Sequence, residues 1–213
     1  DHRNEIVQRT GEQIMYRISR NMVVLSSSLV ATALLAQAKA SSQRHEILAR
    51  AQRLQAALMN AGAVFGHTLA QGDLLVDATL KRFCDEKLVD CMQMGSAEIF
   101  RPLDAQRIHL EYHKNGIIHH LVPMSLMSTA VRACRDSLPA TGPVDSAHPV
   151  YEKIIRLFDV QVFLLRYEFT FDPDLDLTDL AQHALKGLVQ YGAISADTEG
   201  GFTCANIDEC VED

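Results

Sequence analysis

The sequence contains no tryptophan, no low-complexity tract and no excess of basic residues. Twenty lysines and arginines stand against 27 acidic residues, so the formal net charge is −7 at pH 7. Proteins that bind nucleic acids usually present a basic face to the phosphates, and this charge balance does not favour such a face. We therefore expect no nucleic-acid partner.

Cysteines are few, and their spacing matches neither a metal site nor a disulfide scaffold. The chain has five, an odd number, and none lie in a CxxC pattern. Structural zinc sites and small disulfide-rich domains depend on such spacing. No GxSxG, GxGxxG or P-loop pattern occurs either. The sequence predicts reduced thiols in a cytosolic compartment, no metal and no cofactor.

No apolar run is long enough to cross a membrane. The longest such stretch, Met22 to Ala38, falls short of the roughly 20 apolar residues that a spanning helix requires. Polar residues interrupt it at Ser26, Ser27, Ser28 and Thr32. The stretch predicts a buried core helix, and a helix lying against a membrane is the alternative. Because the chain begins at Asp1 without a signal segment, we expect it to be part of a longer protein.

Helical spacing of apolar residues dominates the chain and predicts a mainly α fold. Helices are predicted over 43–61, 73–87, 123–134 and 176–191, with a long buried helix from residue 150. Ser42 is the expected cap of the first, and Pro123 the expected first residue of the third. Residues 167–171 alternate like a strand, or else continue the preceding helix. A turn at Gly95-Ser96 and another at 199–201 predict two small hairpins.

This pattern predicts a helical bundle with one or two small winged-helix-like β-hairpins. Residues 1–135 form a helical region that includes a winged-helix-like unit around 73–101. Residues 136–149 read as a loop or linker, and residues 150–213 as C-terminal helices with a small terminal hairpin. A helix followed by a two-stranded wing occurs twice, at 73–101 and 176–206. The second such helix offers only Lys186 as a cation, which favours a packing module over DNA binding.

Residues 108–121 fit two structures. Alternating apolar residues on both sides of Asn115-Gly116 are typical of a hairpin with a type I′ turn. Ile108, Tyr112 and Leu121 also share one face of a helix, in which Gly116 would cost about 1 kcal/mol. The spacing alone favours the hairpin slightly.

Three stretches, in order, carry a resemblance to a known family. They are Met15 to Leu35, Leu110 to Ala133 and Tyr151 to Asp174, with the clearest matches at Ser28–Leu35 and Tyr112–His119. Together they resemble the C-terminal region of the PlsB-type glycerol-3-phosphate acyltransferases, a family that includes dihydroxyacetone-phosphate acyltransferases. The resemblance covers nearly the whole chain and implies a helix at 108–121.

The resemblance implies transfer of a fatty acyl group from acyl-CoA or acyl carrier protein to glycerol 3-phosphate, the first step of phospholipid synthesis. In this family a histidine takes the hydroxyl proton, and an aspartate five residues later orients it. None of the nine histidines here is followed by aspartate at that distance. We therefore expect no catalytic residue in this chain and no activity from it alone.

The resemblance also suggests partners and site residues. The expected partners are an upstream acyltransferase domain and, through it, the acyl donor and glycerol 3-phosphate. Peripheral contact with the cytoplasmic side of a membrane is expected through the parent protein. Arg17 and Arg20 are candidates for substrate phosphate, and Asn115 and His119 for a buried polar network. The alternatives are a dihydroxyacetone-phosphate acyltransferase portion or a non-enzymatic winged-helix-type interaction module.

Overall fold

Helices make up most of the secondary structure in the computed structural model, which describes residues 2–36, 41–66, 73–139, 142–174, 176–197 and 201–204. The helices are α1 (His2–Arg20), α2 (Ser26–Leu35), α3 (Arg44–Asn60), α4 (Asp73–Asp85), α5 (Arg107–Asn115), α6 (Ile118–Ala133), α7 (Pro149–Leu165) and α8 (Leu177–Tyr191). The strands are β1 (Val23–Val24), β2 (Ser42–Gln43), β3 (Val64–Phe65), β4 (Val89–Met94), β5 (Ala97–Pro102), β6 (Ser195–Ala196) and β7 (Phe202–Thr203). The predicted fold class, mainly α with small hairpins, is confirmed.

The chain divides into two compact units. Among the described residues, unit 1 comprises 2–21 and 119–204, and unit 2 comprises 22–118. The segments predicted from the sequence, 1–135, 136–149 and 150–213, have other boundaries, because the chain passes from one unit to the other at residues 21–22 and 118–119. Within unit 1, β6 and β7 form the small terminal hairpin; two residues of its predicted turn, Glu199 and Gly200, lie outside the described residues.

Unit 2 has the element order of a winged helix. A first helix (α2) leads through β2 to the pair α3 and α4, and the hairpin β4–β5 follows. The antiparallel sheet has the order β2-β5-β4, so the strand before the helix pair joins the wing. The wing turns at Gly95, whose φ of 61° lies in the left-handed region that glycine adopts without strain. The hairpin predicted at Gly95-Ser96 is therefore confirmed.

Helix α2 is the centre of unit 2. Eight of its ten residues, from Ser27 to Leu34, are buried, as expected for a core helix. The hydroxyl of Thr32 is satisfied within the helix, since Thr32 Oγ1 donates to the Ser28 carbonyl at 2.8 Å. Arg50 of α3 is buried as well and donates to the Ala33 carbonyl at 2.9 Å. Among the described residues, no helix combines the length and apolarity needed to span a bilayer.

Residues 108–121 are helical, so the slight preference for a hairpin from spacing was wrong, and the helix implied by the resemblance is confirmed. Helices α5 and α6 follow each other with a short break at Gly116 and Ile117. Gly116 has a φ of −61°, which any residue can adopt. Its importance is steric: a Cβ there would lie 3.3 Å from Ser28 Oγ on α2 and 3.3 Å from the His113 carbonyl. Glycine is thus needed at position 116 so that the chain can pack closely against α2, and not because the backbone makes a tight turn there.

Gly116→Ala should lower the free energy of unfolding by about 1 kcal/mol, because added atoms in a close-packed core force neighbours to shift. Urea denaturation followed by circular dichroism measures this change. Gly11→Ala is the matched control, since a Cβ there meets nothing within 4 Å. In the middle of α1 it should raise stability by about 0.5 to 1 kcal/mol. Equal effects of the two substitutions would contradict the packing argument.

Three local predictions were wrong, each for a physical reason. At the N-terminus of α3, the Glu46 carboxylate accepts a hydrogen bond from the Gln43 amide at 2.7 Å. Ser42 does not cap the helix, because its hydroxyl accepts a hydrogen bond from Arg50. Pro123 lies inside α6 rather than at its start. Residues 167–171 form neither a strand nor a continuation of the preceding helix: α7 ends at Leu165, in a turn in which the Phe169 amide donates to the Leu165 carbonyl.

Candidate functional site

Helix α1 turns its polar side toward its own unit and its apolar side to solvent. None of its residues is buried. Its exposed apolar side chains, each between 51% and 63% accessible, are Ile6, Val7, Ile14, Met15 and Ile18. Amphipathic helices normally bury such a stripe. The outward stripe is therefore an unusual feature, and we refer to these five residues as the α1 apolar face.

The polar side of α1 contacts the segment that follows α7. Arg9 lies 3.5 Å from the carboxylate of Asp174, and Gln13 donates to the same carboxylate at 3.4 Å. Nearer the end of the helix, the hydroxyls of Ser19 and Thr170 lie 3.5 Å apart. These contacts hold α1 along residues 170–174.

Tyr16 lies at the middle of this polar side. Its hydroxyl is hydrogen-bonded to Asp172, and Arg20, one helical turn further on, also bonds to it. Burial raises the pKa of Tyr16, the bond to Asp172 adds to the rise, and the charge of Arg20 opposes it. The phenol is therefore neutral, and the guanidinium of Arg20 is held beside it.

Two adjacent histidines at the start of α6 complete the site. Their ring centroids are 4.0 Å apart, and the ring of His119 hydrogen-bonds to the Ser19 backbone. Burial lowers the pKa of His119. For His120, which is 9% exposed, burial followed by the charges of His119 and Arg20 lowers the pKa to about 4. Both imidazoles are thus neutral near pH 7.

The Nε2 atoms of His119 and His120 are buried and have no hydrogen-bond partner. Buried polar atoms in proteins are nearly always hydrogen-bonded, so two adjacent exceptions mark a place where a ligand group or water would be stabilised. We call Tyr16, Ser19, Arg20, His119 and His120 the α1–α6 cluster.

Two of the four site residues predicted from the sequence belong to this cluster. Arg20 and His119 are members, whereas Arg17 lies three residues before Arg20, on a neighbouring position of the helix; both arginines are exposed. Asn115 is exposed at the end of α5, so it does not form the buried part of a network. Sequence reasoning missed Tyr16 and His120. The spacing of Tyr16 and Arg20, four residues apart on a helix, was the available signal.

The α1–α6 cluster is suited to binding rather than to proton transfer. A histidine that acts as a general base is usually oriented by a carboxylate, and among the described residues no carboxylate is hydrogen-bonded to either imidazole. A guanidinium with neutral hydrogen-bonding groups around it can instead hold an anionic group such as a phosphate. Across all the residues that the structure describes, no group of three His, Cys, Asp or Glu residues is placed to hold a metal ion.

Unit 2 has an open polar groove of about 450 Å³ beside the wing, lined by Gln43, Arg44, His45, Gln93, Ser96, Ala97 and Glu98. Arg44 is held there by Asp77 in a two-pronged ion pair with distances of 2.7 and 2.6 Å. In a winged helix that binds DNA, α4 would enter the major groove. Its sequence carries Asp73, Asp77 and Asp85 against Lys81 and Arg82, an unfavourable charge for that role.

Comparison with known proteins assigns the chain to a family. No curated protein matches it. The model of the glycerol-3-phosphate acyltransferase C-terminal region matches residues 1–210, nearly the whole sequence. The chain therefore belongs to the family of glycerol-3-phosphate acyltransferase C-terminal regions.

Proposed function

We propose that this chain is the helical, non-catalytic portion of an enzyme that transfers a fatty acyl group from a thioester to the 1-hydroxyl of glycerol 3-phosphate. Membership of the family supports an acyltransferase parent. The lack of any histidine with an aspartate five residues later supports a catalytic centre on another segment. The observation that carries the proposal is the combination of family membership with a site built for binding alone.

The α1 apolar face is the proposed surface for the catalytic segment. The family is a C-terminal region, so the remainder of such an enzyme precedes it, and α1 is the first element on that side. Its five aliphatic side chains are exposed, while the opposite side is already occupied by residues 170–174. Burying such a face removes apolar surface from water at about 25 cal/mol per Å², which favours association.

The α1–α6 cluster is the proposed contact for the phosphate of the acceptor. Arg20 supplies the positive charge, Tyr16 a neutral hydroxyl, and His119 and His120 unpartnered ring nitrogens. Arg17, one helical turn before Arg20, is proposed as a second contact for the same phosphate. Because dihydroxyacetone phosphate carries the same phosphate, this chemistry fits both acceptors.

Peripheral contact with the cytoplasmic face of a membrane is proposed through α7. Its exposed face contains Val160, Phe163 and Leu164 at helical spacing, and the exposed Tyr167 lies in the turn that follows. Arg166 lies 4.0 Å from the Phe163 ring centroid and 4.8 Å from that of Tyr167. Aromatic and basic side chains together are typical of surfaces that lie in the headgroup region. Such a position would bring a membrane-derived acyl donor close.

The test is reconstitution of activity. The chain should form no acylated product from acyl-CoA and glycerol 3-phosphate by itself, and should do so when combined with an HxxxxD-bearing acyltransferase segment of this family. Arg20→Ala should then raise the KM for glycerol 3-phosphate about tenfold or more while kcat changes little, because a phosphate contact contributes binding in ground state and transition state alike.

Arg156→Ala is the matched control, since Arg156 is 78% exposed and pairs only on the surface with Glu152. It should leave the KM unchanged. Product formed by the chain alone, or no gain from any HxxxxD-bearing segment, would contradict the proposed function. Running dihydroxyacetone phosphate in parallel decides between the two acceptors.

A further inference from the structure

Two cysteines of unit 2, Cys84 and Cys91, lie on facing elements. Cys84 is in the last turn of α4, and it follows Val76 and Leu80 along the buried side of that helix at i+8 and i+4. Cys91 lies on β4, on the same strand face as the buried Val89. The helix and the strand thus direct these two thiols toward each other.

The connection between α4 and β4 fixes this arrangement. The amide of Lys87 donates to the Cys84 carbonyl at 3.0 Å, and that of Leu88 to the Phe83 carbonyl at 2.8 Å. Lys87 adopts a φ of 57°, the left-handed conformation that ends helices tightly. The chain therefore returns at once along the helix it has left, and the two thiols lie within hydrogen-bonding reach of each other.

The two thiols differ in access. Cys91 is exposed, because β4 is the edge strand of the sheet, whereas Cys84 is half-buried. Burial, followed by the proximity of Cys91, raises the pKa of Cys84 to about 11. Reagents from solution should therefore react first at Cys91, and Cys84 should act second.

We propose that Cys84 and Cys91 form a reversible intramolecular disulfide that ties the end of α4 to the wing when a low-molecular-weight disulfide such as oxidised glutathione is present. This site is independent of the proposed acyltransferase function, because it lies within unit 2 and uses none of the α1–α6 cluster.

The reaction proceeds by two thiol–disulfide exchanges. The Cys91 thiolate attacks one sulfur of oxidised glutathione, the S–S bond of the glutathione breaks, and one glutathione thiolate leaves while a Cys91–glutathione mixed disulfide forms. Cys84 then attacks the Cys91 sulfur, the second glutathione thiolate leaves, and the Cys84–Cys91 bond forms. The two cysteines lose two electrons and two protons, which convert one oxidised glutathione into two reduced molecules.

The experiment treats the full chain with oxidised glutathione and maps the products by peptide mass spectrometry. In the wild type, the main product should be a Cys84–Cys91 bridge that has lost two hydrogens, with little glutathione left on Cys91. In Cys84→Ser the second exchange cannot occur, so the glutathione adduct on Cys91 should rise about tenfold. Cys204→Ser is the matched control and should retain the bridge.

A second measurement does not depend on a variant. The equilibrium constant for bridge formation should be about tenfold or more greater in the native chain than in urea, because only the fold holds the two thiols together. Equal constants would overturn the proposal. So would equal adduct levels on Cys91 in wild type and Cys84→Ser, or a bridge from Cys91 to any other cysteine.

Discussion

Replacing Leu34 by alanine lowers the free energy of unfolding by about 3 to 4 kcal/mol, the loss expected when a fully buried leucine leaves a cavity. Leu34 is 1% exposed near the end of α2, the helix on which α3, α4 and α5 pack. Urea denaturation with circular dichroism detection measures the change. An effect of this size is a large fraction of the stability of an ordinary domain.

Leu164→Ala is the control for this substitution. It removes the same atoms from a leucine of α7 that is 66% exposed, so the change should stay within about 0.5 kcal/mol. If Leu34→Ala also had a negligible effect, α2 would not be a core helix, and its apolar residues would require another environment. The pair of variants thus compares the loss of a buried leucine side chain with the loss of an exposed one.

The second large effect is a loss of stability in acid caused by His120. Burial lowers the pKa of His120 to about 4 in the folded chain, against about 6.5 for an exposed imidazole. As the pH falls below 6.5, the unfolded chain binds a proton that the folded chain does not bind, so stability decreases until the folded pKa is reached. Between about pH 6.5 and pH 4, the free energy of unfolding should fall by about 3 kcal/mol because of His120 alone.

His120→Asn isolates this contribution, because asparagine does not titrate. Chemical denaturation across that pH range should give a curve for the variant that is flatter than that of the wild type by about 3 kcal/mol. Other groups titrate in both proteins and cancel in the difference. Parallel curves would show that His120 is protonated as readily in the fold as outside it, and that the imidazoles are not enclosed as described.

The helices could be predicted from the sequence because their apolar spacing records which face is buried. Helix α3 is an example: the spacing places Ile47, Leu48, Ala51, Leu54 and Leu58 on one stripe, and all of them are buried except Leu48, which is half-buried. Gly192 ends α8 in the left-handed conformation, as its position suggests. Local pattern and tertiary burial agree in these elements, so a single sequence is sufficient.

The predictions that failed depend on contacts between residues far apart in the chain. Asn115-Gly116 has the composition of a hairpin turn, yet Gly116 is needed for the close approach of Ser28, nearly ninety positions earlier. Ser42 is a good capping residue, but Arg50 occupies its hydroxyl. The α1–α6 cluster joins residues 16–20 to residues 119–120, and Tyr16 of the cluster bonds to Asp172; no local spacing reveals these pairings.

The division of the chain into units also bears on how it folds during synthesis. Unit 2 is one continuous segment, so it can fold as soon as residues 22–118 have left the ribosome. Helix α1 emerges before it, but the residues that α1 contacts come only after unit 2 has been made. Throughout that interval the polar side of α1 lacks the partners that it has at residues 170–174 in the folded unit 1.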